Sequence, residues 1–197
     1  MEKESSTNVF LIVMLSVCAI LITLIIIGFV AFSNRDEKVI EEEENGASIV
    51  LNYSSNISGL QIRNASKKDD NTAKVALNDG EYFDFSVDVL LDNAASVEYE
   101  ISAVKDSVNS TIPNEDIKIY LEKEKSGSYT KVFGPDEFKP LKKKSDLGSK
   151  KGSMVLLNVK KTNSNSDNYR LRMWLSDKSK LDNGSYSVDI EVNGVAK

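Results

Sequence analysis

The chain has 197 residues, room for one ordinary domain with appendages. Its formal charge of -5, from 25 Lys and Arg against 30 Asp and Glu, lacks the basic excess of a nucleic-acid binder, so nucleic acid is not an expected partner. Histidine is absent and the one cysteine, Cys18, sits inside an apolar run, which excludes an intramolecular disulfide, a thiolate metal site and a cysteine nucleophile, and removes the commonest general base.

The first element follows an eight-residue polar tail, residues 1–8. From Val9 to Phe32 run 24 uncharged residues, "VFLIVMLSVCAILITLIIIGFVAF". As a helix they would reach roughly 36 Å, enough to cross a hydrocarbon core of about 30 Å. A cleaved secretory signal wants a basic start, a shorter apolar region and a small-x-small site, of which only Ala31-Phe32-Ser33 offers a version. A lipoprotein reading of "LSVC" fails at Val17, where a small residue is required. The favoured reading is an uncut transmembrane signal-anchor, residues 9–32, with the lipid bilayer as its partner. The flanking charges, Lys3 against Arg35 and Lys38, favour a cytoplasmic C-terminal side. The layout of a short tail, one span and a large β-patterned domain favours the outside, and an extracellular C-terminal domain is the expectation.

Residues 33–46, "SNRDEKVIEEEENG", hold six acidic residues and only Val39 and Ile40 as apolar ones, which reads as a flexible acidic stalk. Four consecutive glutamates on such a chain are a poor preorganised cation site, and no metal is expected.

Beyond Gly46 the apolar period becomes two. In "EYFDFSVDVLLD" Phe83, Phe85, Val87, Val89 and Leu91 share one face, with Asp84, Ser86 and Asp88 on the other. Further strands are expected at "SVEYEISA", "DIKIYLEKE", "SMVLLNVKK", "NYRLRMWLSD" and "SYSVDIEVN", and shorter ones at "ASIVLNY", "GLQIRN", "AKVALN" and "YTKVF". Polar turns separate them at 78–80, 125–128, 163–167 and 182–185. The expected fold of residues 47–197 is therefore all-β: an immunoglobulin-like or related Greek-key β-sandwich.

Pairing 168–175 with 185–192 as a hairpin places Arg170 opposite Glu191 and Arg172 opposite Asp189, so cross-strand ion pairing accounts for both arginines. Trp174 falls on the same outward side, either packed under a neighbouring loop or anchoring a partner. The stretch 139–151, "KPLKKKSDLGSKK", has six lysines and reads as a long mobile loop; Lys142, Lys143 and Lys144 in it would attract an anionic surface or polymer. The candidate partner-binding residues are therefore Trp174, Arg170, Arg172, Lys142, Lys143 and Lys144.

The sequence carries no recognised catalytic constellation. "NSNSDN" at 163–168 lacks the Asp, Gly and Glu positions of a calcium loop, no Gly-x-Ser-x-Gly elbow occurs, and no phosphate-cradling glycine loop is present. No catalytic residue, cofactor or metal is expected, and the chain is read as not an enzyme. Five Asn-x-Ser/Thr sequons occur, at Asn52, Asn56, Asn64, Asn109 and Asn183, and matter only where a glycosylating secretory pathway operates.

The order "VALNDGEYFDFSVDVLLDNAASVEYEIS", then "NYRLRMWLSD" and "SYSVDIEV", behind a single span, resembles bacterial surface proteins whose N-terminal span carries an extracellular immunoglobulin-like sandwich. The likeness covers residues 9–32 and 73–192 through strand-and-turn patterns. It implies a binding, adhesion or structural role at the cell surface, toward a surface protein or polymer. Some such sandwiches carry a Lys–Asn isopeptide bond; Asn193 stands near the last strand, but its parity points outward. Two further readings are an accessory subunit of a membrane complex and a protein secreted after signal cleavage. A type IV pilin is set aside, because its Gly-Phe processing site ahead of the apolar helix and the Glu within that helix are both missing.

Overall fold

The computed structural model describes residues 38–40, 46–54, 57–75 and 82–197. The expected tail and anchor, residues 1–32, lie outside the described residues. Among those described, no helix is long and apolar enough to cross a membrane.

The chain forms strands β1 (Lys38–Ile40), β2 (Ala47–Tyr53), β3 (Gly59–Ile62) and β4 (Lys67–Lys68), then a short helix α1 (Asp70–Val75). Seven more strands follow: β5 (Tyr82–Leu91), β6 (Val97–Lys105), β7 (Ile117–Lys125), β8 (Ser128–Glu137), β9 (Met154–Lys161), β10 (Asn165–Ser176) and β11 (Tyr186–Ala196). β5 follows its sequence pattern: Phe83, Phe85, Val87 and Val89 are buried and their neighbours are not. β10 does the same over a longer run, turning Asp167, Tyr169, Leu171, Met173 and Leu175 inward.

Two sheets result. Sheet A has the order β1-β2-β5-β10-β7-β8, with β4 added in parallel beside the end of β10; sheet B has the order β3-β11-β6-β9. Every other pairing is antiparallel. The expectation of an all-β domain with antiparallel sheets is met. The pairs nest inside one another: β7 with β8, β6 with β9, β5 with β10 and β3 with β11, falling alternately in sheet A and sheet B. A single long hairpin rolled across two sheets has this order, which is that of a jelly roll.

The core lies between the inner faces. Fully buried Tyr99, Ile101 and Ile190 of sheet B meet Leu51, Ile119, Leu121, Tyr169 and Leu171 of sheet A in one cluster. Aromatic rings form a run through it, Tyr53–Phe83 at 5.7 Å, Phe83–Phe85 at 5.7 Å and Phe85–Tyr169 at 5.4 Å between centroids. Such contacts add to the area term of burial by about 0.5–1.5 kcal/mol each.

Four expectations are corrected. The postulated hairpin of residues 168–175 and 185–192 does not form: β10 pairs with β5 and β7 in sheet A, whereas β11 pairs with β3 and β6 in sheet B. Parity assigned the buried faces correctly, but several strands could satisfy the same parity. "AKVALN" is not a strand at its start, because Ala73–Val75 close helix α1, whose first turn Asp69 caps by accepting from the backbone N–H groups of Asn71 and Thr72 at 3.0 and 3.1 Å. The acidic stretch is not stalk throughout. Its only apolar pair, Val39 and Ile40, belongs to β1, which registers on Val50 and Ile49.

The fourth concerns the lysine-rich segment, which is tied down rather than featureless. Leu141 N–H donates to the Ser153 carbonyl at 2.7 Å and Gly152 N–H to the Leu141 carbonyl at 3.0 Å. Beneath it the carboxylate of Glu100, 3% exposed on the outer side of β6, accepts from the Ser149 N–H at 2.8 Å and from the Ser145 hydroxyl. A buried carboxylate needs such donors, and the loop supplies them.

Candidate functional site

The outer face of sheet A collects the polar and aromatic side chains of four strands. On β10 the outward residues are Ser166, Asn168, Arg170, Arg172 and Trp174, each one strand position away from an inward core residue. Neighbouring β5 supplies Asp84, Ser86 and Asp88, and β7 supplies Tyr120, Glu122 and Glu124.

Arg170 lies at the centre. Its Nε and Nη2 donate to the two carboxylate oxygens of Asp84, each at 2.6 Å, a planar fork that lysine could not reproduce. The rings of Tyr82 and Tyr129 stand 4.4 and 4.2 Å from its guanidinium carbon. The hydrogen-bonded Asp84 carboxylate, working against burial, raises Arg170 above the ordinary arginine range. Burial chiefly, then the Asp84 charge, pushes the Tyr129 hydroxyl up as well.

Arg172, one turn of the pleat further along, is 4% exposed, and its Nε donates to Glu122 Oε2 at 2.9 Å. Trp174 is 3% exposed; it packs edge-on against Tyr120 at 6.2 Å and its indole N–H donates to Asp70 Oδ1 of α1 at 3.2 Å. The structure thus brings Arg170, Arg172 and Trp174 onto one face, as parity required, and gives each a partner within the chain. Trp174 is packed under α1 and is no exposed anchor. The arginines do form cross-strand ion pairs, with Asp84 and Glu122 in place of Glu191 and Asp189.

The lysines lie elsewhere. Lys142, Lys143 and Lys144 are exposed on the loop over Glu100, on the outer side of sheet B. Sequence reasoning did not single out Tyr82, Tyr129, Asp84 or Glu122 for this face. The alternation of β5 pointed Asp84 outward, but its partner strand could not be read locally.

A second polar cluster sits at the margin of the core. Asp167 binds Lys161 at 2.6 Å and Lys123 at 2.8 Å, and receives the Asn165 amide at 3.1 Å. The hydroxyls of Tyr99 and Tyr169 meet beside it at 3.3 Å. Burial opposes ionisation of Asp167, yet the two ammonium groups outweigh it and hold the carboxyl below its ordinary range. Burial drives both tyrosines the other way, Tyr99 to about 12 and Tyr169 further in the same direction.

No protein-family model and no curated protein matches the chain. Among solved structures it is similar to AvmM, which by its title catalyzes macrocyclization in alchivemycin A biosynthesis; identity is 9%, the TM-score 0.29, and the match covers 74% of this chain and 95% of that one. That neighbour's title names a catalyst, and the expectation that this chain is not an enzyme is withdrawn. At this TM-score the likeness carries no argument for a reaction of this chain.

Proposed function

We propose that the chain is a membrane-anchored β-sandwich module whose C-terminal domain stands outside the cell and serves binding, adhesion or structural support there. The observation that carries this reading is the outer face of sheet A, where partly exposed Tyr82, Tyr129 and Arg170 lie together. Tyrosine and arginine are the residue types enriched at recognition surfaces, and a rigid sheet with paired side chains presents them at low entropic cost. The 24 uncharged residues preceding the domain support the anchor.

Within the sandwich class, the nested pairing favours a Greek-key jelly roll over immunoglobulin strand order, in which the sheets hold ABED and CFG. The exposed Lys142, Lys143 and Lys144 give a direct test of sidedness. A membrane-impermeant amine reagent applied to intact cells should label the peptide carrying them. Protection until the cells are lysed would place the domain inside and overturn the proposal.

A further inference from the structure

We propose that Asn64, Asn109 and Asn183 carry N-linked glycans and that Asn52 does not, an inference that rests on the surface location proposed above. A sequon is only an acceptor motif; the amide must also stand in a surface loop where a transferring enzyme and a bulky sugar both have room. Sequence alone does not separate the candidates, whereas the structure does. Asn56 lies outside the described residues.

Asn64, Asn109 and Asn183 are all exposed and all lie in connections between elements. Asn64 takes a left-handed turn conformation, with φ of 50°. The loop of Asn109 projects so far that its neighbour Val108 is 91% exposed. Asn183 sits in the Asp-Asn-Gly-Ser turn ahead of β11. Asn52 is different: it lies within β2, registered on Ser86, and is part-buried, its amide nitrogen donating to the Asp88 carboxylate at 2.6 Å. Asn109, whose amide nitrogen also donates to a carboxylate, that of Asp106 at 2.6 Å, does so from an exposed loop. A sugar on Asn52 would have to lie flat on a formed sheet.

The three loops also share one place. Ala65 N–H donates to the Gly184 carbonyl at 2.9 Å, and Thr111 N–H to the Ser185 carbonyl at 2.9 Å, so the sequon segments are joined by backbone hydrogen bonds at one end of the sandwich. The opposite end holds Gly46, whose carbonyl accepts from Asp92 and Asn93, and Lys197, bonded to Ser96. Glycans on the three asparagines would therefore form one cap, leaving the Tyr82–Arg170–Tyr129 array uncovered.

The co-reactant is an oligosaccharide linked to a polyprenyl phosphate or diphosphate, delivered by a membrane oligosaccharyltransferase. The asparagine Nδ2 attacks the anomeric carbon as the bond from that carbon to the phosphate oxygen breaks. The lipid phosphate departs with its electron pair and takes up, through a base of the transferase, the proton lost by the amide. No oxidation or reduction is involved.

The test is peptide mass mapping of the full chain isolated from the cells that make it, combined with the amine-labelling experiment on the same culture. The expected result is a glycan mass on the Asn64, Asn109 and Asn183 peptides, an unmodified Asn52 peptide and labelled lysines. In a further variant, Ser66→Ala removes the hydroxyl of one sequon while keeping its acceptor, and should abolish the Asn64 glycan alone. Labelled lysines with all three asparagines bare would overturn this inference and leave the surface location standing. Lysines protected until lysis would overturn both. A glycan on Asn52 at the occupancy of the loop sites would overturn the structural distinction drawn here.

Discussion

The two arginines of β10 make the same kind of contact in different surroundings, and the difference is measurable. The side chains of Arg170 and Asp84 are 16% and 40% exposed, those of Arg172 and Glu122 only 5% and 10%. Removing Asp84 leaves a guanidinium that water still reaches and that two tyrosine rings still flank, so Asp84→Ala should cost about 1 kcal/mol. Glu122→Ala takes the carboxylate from a guanidinium that water barely reaches, so it should cost more, about 3–5 kcal/mol. For a chain of this size the second figure corresponds to a fall in Tm of roughly 6–20 °C. Replacing both partners by apolar groups, as Glu122→Leu with Arg172→Met, should recover most of the loss, since neither charge is then buried. Trp174 is the chain's single tryptophan and is buried beside Tyr120 on this face, so its fluorescence during urea and heat unfolding of the detergent-solubilised chain reports the transition directly. Equal costs for Asp84→Ala and Glu122→Ala, or a double variant no more stable than Glu122→Ala, would refute the assignment of Arg172 to a desolvated pair.

Three further outcomes are expected. Tyr99, raised to about 12 by burial, and Tyr169 and Tyr186, raised beyond it by the same cause, should stay protonated in an ultraviolet titration of the folded chain; because their folded values exceed the unfolded value of about 10, stability should be complete below it and fall as pH rises above it. Asp167 is shifted downward, so its contribution is present above the ordinary carboxylate range and lost as pH falls through its folded value; Asp167→Asn should flatten that acid limb in pH-dependent melting and cost about 1.5–3 kcal/mol. In β3, a Cβ on Gly59 would stand 1.9 Å from the Val188 carbonyl oxygen, so Gly59→Ala should sharply lower Tm, whereas Gly127→Ala, in the β7–β8 turn with nothing within 4 Å, should cost only the backbone strain of about 1–2 kcal/mol.

Most strands were legible because one face of each is buried and alternation records that face. "ASIVLNY" coincides with β2, and the long runs at 83–91 and 97–103 fall within β5 and β6. The turn at 125–128 was legible for a different reason: Ser126 and Gly127 both adopt positive φ, which Gly serves at no steric cost. β1 and β4 were not legible. They are only three and two residues long, and backbone pairing rather than an apolar period defines them. Partner choice was hidden for a related reason. Arg170 meets Asp84 across 86 positions of sequence, and parity restricts which face a residue takes without naming the strand that will lie beside it. Glu100 was missed because its donors come from a loop 45 and 49 residues away that carries no periodic signal of its own.

The rolled hairpin sets the order in which the domain can be completed as it leaves the ribosome. Sheet A has β5 and β10 side by side near its middle, and sheet B has β3 bonded only to β11, so each sheet joins the beginning of the domain to its end. Until β10 emerges, β5 has β2 on one side and an open edge on the other; until β11 emerges, β3 has no ladder at all. Closing such distant pairs is slow, and exposed strand edges recruit other chains. A nascent chain halted before residue 165 would thus hold the β1–β2–β5 ladder and the β7–β8 and β6–β9 pairs as separate pieces, so this domain's exposure to misassembly is concentrated in the interval before residues 165–196 join them.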